Sequence, residues 1–254
     1  MNLDVAGVIA DAWRMWKRDR ELLLGVGGFF LFLPQFATLL LVRELPETPQ
    51  SGATKEAARV WAESVAQWVG SYGLIVLICG LCGLFGTLLL YVLYLRDGRP
   101  DLKAALPTAL RLLPRYLIVS ILVSLPIALV HFPSIWPFLF FPMFYAIGRM
   151  LLGAAAMVAE PPIGALASIK RGIALSRGHG LFFAGAAIVL LFGGVILAEP
   201  FVLIGRTLDG APIANPVSAT LLNAGAAAAA AFGSLAATLI QIALYRRLSA
   251  IKGI

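Results

Sequence analysis

Charged residues are scarce in this chain. They make up 13% of its 254 residues, against about 25% in an average soluble domain. Histidine is scarcer still, with only His131 and His179. No HExxH, GxSxG or Walker A pattern occurs, so the usual metal-hydrolase, serine-hydrolase and nucleotide-binding arrangements lack their residues. The two cysteines, Cys79 and Cys82, form a CxxC inside an apolar run. That spacing suits a redox pair or half a zinc site. No other Cys or His lies near it in sequence, and small polarizable packing residues are the favoured reading. A cleavable leader is not evident either. The first twenty residues carry Asp4, Asp11, Arg14, Lys17, Arg18, Asp19 and Arg20 and no apolar core, so the N-terminus is expected to be retained. The expectation is a protein that is not an enzyme and holds no cofactor or metal.

What is abundant is apolar surface. Hydrophobic residues make up 60% of the chain, and the mean hydropathy is +0.91. A soluble protein of this size could not bury so much, whereas lipid makes burial unnecessary. A spanning helix needs about 20 mostly apolar residues. Six stretches fit: Glu21–Val42, Val69–Leu95, Tyr116–Phe132, Pro137–Ala159, Leu181–Ile204 and Pro216–Tyr245. The fold class expected is all-α, a single polytopic membrane domain over 1–254. The third and fourth spans read as a tight hairpin turning at His131, Phe132 and Pro133, with Tyr116 and Trp136 as interface anchors.

The charges are asymmetric. With the N-terminus inside, six spans place fifteen basic residues on the inner side: Arg14, Lys17, Arg18 and Arg20; Arg96, Arg99, Lys103, Arg111 and Arg115; Lys170, Arg171 and Arg177; Arg246, Arg247 and Lys252. Four fall outside: Arg43, Lys55, Arg59 and Arg206. Fifteen against four predicts both termini in the cytoplasm. The net charge of +7 is thereby read as topology and anionic-headgroup contact, not as nucleic-acid binding. The longest outer segment, 43–68, opens with the turn-rich Leu45-Pro-Glu-Thr-Pro. From Ala53 to Trp68 the spacing of Val60, Trp61, Val65 and Trp68 predicts a helix leading into the second span.

Three inner segments share one plan: an amphipathic helix, a basic end, then a span. Residues 4–19, 101–116 and 163–178 align so that Arg18, Arg115 and Arg177 coincide. Their stripes are Val5, Ile9, Ala12 and Trp16; Leu102, Leu106, Ala109 and Leu113; and Leu166, Ile169 and Ile173. Such helices lie in the plane of a membrane interface. The second and sixth spans also echo each other, Gly86-TLLLYVLY against Ala237-TLIQIALY. The chain therefore reads as three helix pairs, in units 1–98, 99–159 and 160–254, about a pseudo-threefold axis along the membrane normal. Chance similarity among apolar helices is the competing account.

Ionisable groups within spans are functional candidates by default. Arg149 lies about twelve residues into the fourth span, where insertion costs roughly 2.5–3.5 kcal/mol. It needs acceptors, and Glu199, Gln35, Tyr145 or carbonyls freed by Pro142 could supply them. One reading is a polar cavity for an anionic headgroup, with Arg149, Glu199 and Gln35 as ligands. The other is a buried structural pair. Glu199-Pro200 interrupts the fifth span and reads as a hydrated helix end, with proton coupling as the alternative. Small residues at 225–231, and Gly80, Gly83 and Gly86, read as packing surfaces.

The segment from Arg149 to Gly178 resembles a bacterial family signature: an Arg in the fourth span, small apolar residues to an acid, then an amphipathic helix. Arg149, Glu160, Ala165, Leu166 and Gly178 carry the likeness. The family is the six-helix membrane domain of glycerophosphoryl diester phosphodiesterases, with its stand-alone relatives. No phosphodiesterase domain is expected among these residues, so that activity does not carry over. The resemblance implies an inner-membrane module serving lipid handling or envelope homeostasis. The function expected is binding or organising of membrane lipids or of a partner membrane protein, itself included. A small transporter or flippase working at Arg149, or an accessory subunit of a larger complex, are the alternatives.

Overall fold

The computed structural model describes residues 4–49, 54–127, 136–209 and 216–251. Among these there is no strand. The helices are α1 (Val5–Gly27), α2 (Leu33–Leu41), α3 (Lys55–Leu95), α4 (Leu102–Ser124), α5 (Trp136–Met150), α6 (Gly153–Ala159), α7 (Ala165–Leu175), α8 (Gly180–Asp209) and α9 (Pro216–Ile251). Six helical stretches are long and apolar enough to cross a membrane, as the sequence predicts. The protein is all-α and built as a multi-pass membrane protein. The hairpin turn expected at 131–133, the side chain of Trp136, Arg206 and Lys252 lie outside what is described.

Two spans are not single regular helices. The first begins at a kink, because Asp19 has non-helical angles (φ −116°, ψ 25°). It then widens into a π-helical turn at Gly28–Phe32, where the Leu33 N–H reaches back to the Gly28 carbonyl. Pro34 follows and lacks the N–H that an α-turn would use. The wide turn gives its ring room. The fourth span is broken at Leu151 and Leu152, which separate α5 from α6.

The long helices overreach the membrane. α3 has 41 residues, or about 62 Å at 1.5 Å each, twice the roughly 30 Å of a hydrocarbon core. Its first fourteen residues form the expected extension of the second span. There the Trp61 and Trp68 indoles donate to the carbonyls of Pro46 (3.2 Å) and Arg43 (2.8 Å), pinning the 42–49 segment along the helix.

Burial is uneven along the bundle. From Leu88 to Tyr94 every residue of α3 is at most 6% exposed. A helix apolar all round must be enclosed on all sides, and α1, α2, α4, α6 and α9 all contact α3. The matching end of α9 is buried too, at Leu239, Ile242, Ala243, Leu244 and Tyr245. At the other end Leu74, Leu77 and Ile78 of α3 and Val195, Ile196 and Leu203 of α8 are exposed. The end that carries the basic residues is thus a packed core, and the far end offers apolar side chains outward.

The three amphipathic segments meet their spans in three ways. The first turns at the Asp19 kink. The second runs on within α4, which contains Pro107 and Pro114. The third, α7, is separate and ends in a turn at Ser176–His179 before α8. Part of each expected lipid-facing stripe is turned onto the bundle instead. Ala12, Ala109 and Ile169 are buried, while Val5, Ile9, Leu102 and Leu166 are exposed. The pattern marks these residues as apolar, but a helix stripe alone does not say whether protein or lipid covers it.

Candidate functional site

Arg149 is the first residue to place. Its Nη1 donates to the Ser176 carbonyl (3.0 Å) and its Nη2 to the Ile173 carbonyl (2.8 Å). Both lie at the C-terminal end of α7, where carbonyls lack the usual helical N–H donor; Ile173 O also accepts from the Ser176 hydroxyl (3.1 Å) and Ser176 O from the His179 N–H (3.2 Å). Ser176 Oγ returns a bond to the Arg149 carbonyl (3.2 Å), which the break at Leu151 leaves without a helical partner. The two helix ends cap each other, and a cation at a C-terminus suits the helix dipole. Glu199 does not take part. It is exposed on α8, nineteen residues past Gly180, or about 28 Å along the helix. Gln35 lines a cavity of about 360 Å³ between α2, α3 and α9, with Thr38, Cys79, Gly80 and Ser234. The three expected ligands therefore do not converge. Arg149 serves as a structural cap and lines none of the cavities described here. Sequence alone could not see this, because α7 folds back onto α5 only in three dimensions.

The cysteines are free and half-buried. No group of three or more metal-ligating side chains occurs among the described residues.

Polar chemistry concentrates at the basic end, in two clusters. In one, Glu160 at the end of α6 accepts from Arg171 Nε of α7 (3.0 and 2.9 Å) and from the Tyr245 hydroxyl of α9 (2.7 Å). In the other, Asp19 accepts from Arg18 (2.7 Å to Nη2) and from the Tyr94 hydroxyl of α3 (2.7 Å). Tyr94 and Tyr245 are the two tyrosines that the echo between the second and sixth spans aligns, and each ends its span on a carboxylate.

Around the second cluster the first limb, Val5–Arg18, lies across the end of α9. Arg247 pairs with Asp11 and, at 3.3 Å, with Asp4, and its guanidinium lies over Gly7, where a Cβ would overlap it. Asp11 also pairs with Arg14. The bond from Arg247 holds the Asp11 carboxyl below the usual carboxylate range, and Arg14 adds to the effect. Asp11 sits on the limb, ahead of the first span.

Arg246 is placed differently. It donates to the Tyr94 carbonyl and to Met15 Sδ (3.8 Å), and stands over the Tyr94 ring at 5.9 Å. No carboxylate pairs with it among the described residues, while the guanidiniums of Arg18 and Arg99 are near enough to act on it. Arg99 is brought there by a tight turn in which Gly98 and Arg99 both have positive φ, 75° and 44°. For arginine that is a strained conformation. Beside it, the Arg96 Nε is buried without a partner.

Two kinds of cavity flank the limb. On one side Asp11, Arg14, Met15 and Arg18 with Ala243 and Arg246 of α9 enclose about 570 Å³. A smaller cavity of about 180 Å³ joins Arg18 and Asp19 to Tyr94 and Arg99. On the other side Ile9, Trp13 and Trp16 face Phe232, Leu235 and Leu239 across an apolar groove. That groove continues along Leu23, Gly27, Phe32 and Ala228. Trp16 stands edge-on to Phe232 at 5.8 Å.

Of the three aligned basic residues, Arg18 lines both polar cavities. Arg115 and Arg177 are exposed, and their side chains make no hydrogen bond or ion pair among the described residues. In the sequence Arg246 is only one of fifteen inner basic residues. What sets it apart, partial burial beside two other guanidiniums at a cavity, depends on helix packing. No protein-family model, curated protein or solved structure matches the chain.

Proposed function

We propose that this is a non-enzymatic protein of a bacterial inner membrane, with its basic end and both termini in the cytoplasm, that gathers anionic lipids at the inner leaflet. The observation that carries the reading is the first limb. It buries Val8, Ala12 and Met15 against the bundle and leaves a second apolar row, Val5, Ile9 and Trp13, at 44, 57 and 52% exposure. Arg14, Lys17 and Arg18 lie on the polar side, with Lys17 over the Trp13 ring. A helix anchored by ion pairs, with exposed apolar residues beside a basic polar side, is built to rest in an anionic interface. The charge asymmetry supports the orientation, and the likeness at 149–178 supports the inner membrane and a role in lipid handling.

Extraction in polymer nanodiscs, followed by lipid mass spectrometry, tests the function. Anionic lipids enriched over the bulk membrane are the expected result, and a bulk-like composition would overturn it. A reporter fused to the C-terminus tests the orientation, which fails if the reporter is outside.

A further inference from the structure

We propose that the cavity between the first limb and the end of α9 is a binding site for a phosphate group, with Arg14, Arg18 and Arg246 as its ligands. The inference deepens the lipid reading above and rests on it for the source of the phosphate.

Three observations converge. The first is charge. The two adjoining polar cavities carry four guanidiniums, of Arg14, Arg18, Arg99 and Arg246, against two carboxylates, of Asp11 and Asp19. Both carboxylates are already engaged, Asp11 by Arg247 and Arg14 and Asp19 by Arg18 and Tyr94. The second is the state of Arg246. A guanidinium has five donors, and here it meets only a carbonyl, a thioether and a ring face. It is partly buried, and the repulsion of Arg99 and Arg18 on it is only partly offset by Asp11. Such an arrangement is costly when the site is empty and relieved when an anion enters. The third is space. About 570 Å³ falls within the roughly 300–1,000 Å³ of small-molecule sites. Guanidiniums bind phosphate oxygens in a planar fork that a lysine cannot reproduce.

Geometry sets the kind of ligand. The cavity lies at the basic end, on the polar side of a limb whose other side lines the apolar groove of Trp13, Trp16 and Phe232. A membrane lipid can present its headgroup at this depth, and so can free phosphate from solution. The shared chemistry is a tetrahedral phosphorus oxyanion.

The test uses the full chain in neutral detergent. Binding of dioleoyl phosphatidic acid in mixed micelles and of inorganic phosphate is measured for wild type, R246Q, R246K, R14Q and, as a control at the far end, R43Q. Wild type and R43Q should bind alike. R246Q should bind about tenfold or more weakly, with R246K between them. Arg14 is 72% exposed, so R14Q tests the site even where R246Q fails to fold, and it should weaken binding severalfold. Binding of phosphatidic acid but not of phosphate identifies a lipid headgroup; binding of both identifies the phosphate group alone as sufficient. Equal binding by wild type and R14Q, or binding of neither probe by wild type, overturns the site. If R14Q and R246Q extract with the anionic lipid of wild type, the site fails while the general lipid reading stands. If wild type itself extracts with none, that reading fails first.

Discussion

Replacing Gly233 by alanine should destabilise the protein, while replacing Gly193 should not. Both glycines sit inside long helices, α9 and α8. Each substitution therefore carries the same gain in helix propensity, about 1 kcal/mol, and the difference between them isolates the tertiary contact. A Cβ on Gly193 meets nothing within 4 Å. A Cβ on Gly233 would overlap the Gly194 Cα and lie 2.9 Å from its nitrogen. Those are backbone atoms, so no rotamer change relieves the clash, and the two helices must separate along their contact. Overpacking of this kind costs about 1–3 kcal/mol. With no flexible side chain to yield, the upper half of that range is expected for the difference between G233A and G193A. Unfolding by sodium dodecyl sulfate in mixed micelles, followed by circular dichroism, reads it directly. G233A should unfold at a lower detergent fraction than wild type, and G193A at an equal or higher one. A G233A protein as stable as G193A would refute the close α8–α9 crossing.

Arg149→Leu removes two charge-assisted bonds to the end of α7; Ile173 O keeps the Ser176 hydroxyl and Ser176 O keeps the His179 N–H, so the loss expected is that of the bonds alone, about 1–3 kcal/mol. The same titration should show that loss, with Arg149→Lys recovering part of it; an unchanged Arg149→Leu protein would end the capping account. Glu160→Gln and Tyr245→Phe share a hydrogen bond, so their double-mutant cycle should give a coupling of about 0.5–1.5 kcal/mol. Glu160→Gln paired with Tyr94→Phe should be additive, since Tyr94 bonds Asp19. The Asp11 carboxyl is held below its ordinary value by Arg247. Its contribution is thus complete above about pH 4, the unfolded value, and fades as pH falls through the lower folded value. Hydrogen exchange of residues 5–18, corrected for the intrinsic rate, should accelerate over that acid range in wild type, and Asp11→Asn should reduce the pH dependence, leaving the part owed to Asp19.

How far the sequence could be read depended on what each residue meets. The six spans were legible because hydropathy over about 20 residues is a local property, and α3, α8 and α9 follow it. The helix leading into the second span was legible from another local signal, the helical spacing of Val60, Trp61, Val65 and Trp68. The break at Leu151 and Leu152 was not, because both residues are apolar and buried and nothing local marks them as a stop. The small-residue run at 225–231 pointed near, but not to, the close crossing of α8 and α9. That crossing is at Gly194 and Gly233, and a count of small residues cannot register two helices. Gly86 does pack tightly on Phe30, whereas Gly80 faces open space.

Arginine shows the limit most clearly. From sequence, Arg149 stands out because it lies inside an apolar span, and Arg246 disappears into an inner-side count. Packing reverses their interest. Arg149 finds the carbonyls of α7 and becomes part of the scaffold. Arg246 is drawn under the first limb by the same end of α9 that sends Arg247 to Asp4 and Asp11. Neighbouring residues on a helix point about 100° apart, so Arg247 takes the carboxylates and Arg246 is left with a carbonyl, a ring and other cations. The ion pairs that fasten the limb are thus also what leaves Arg246 without a carboxylate. If the limb were released, through Arg247→Gln or Asp11→Asn, the cavity would lose one wall while Arg246 kept its charge. Phosphate binding should then fall although none of its three ligands has been changed.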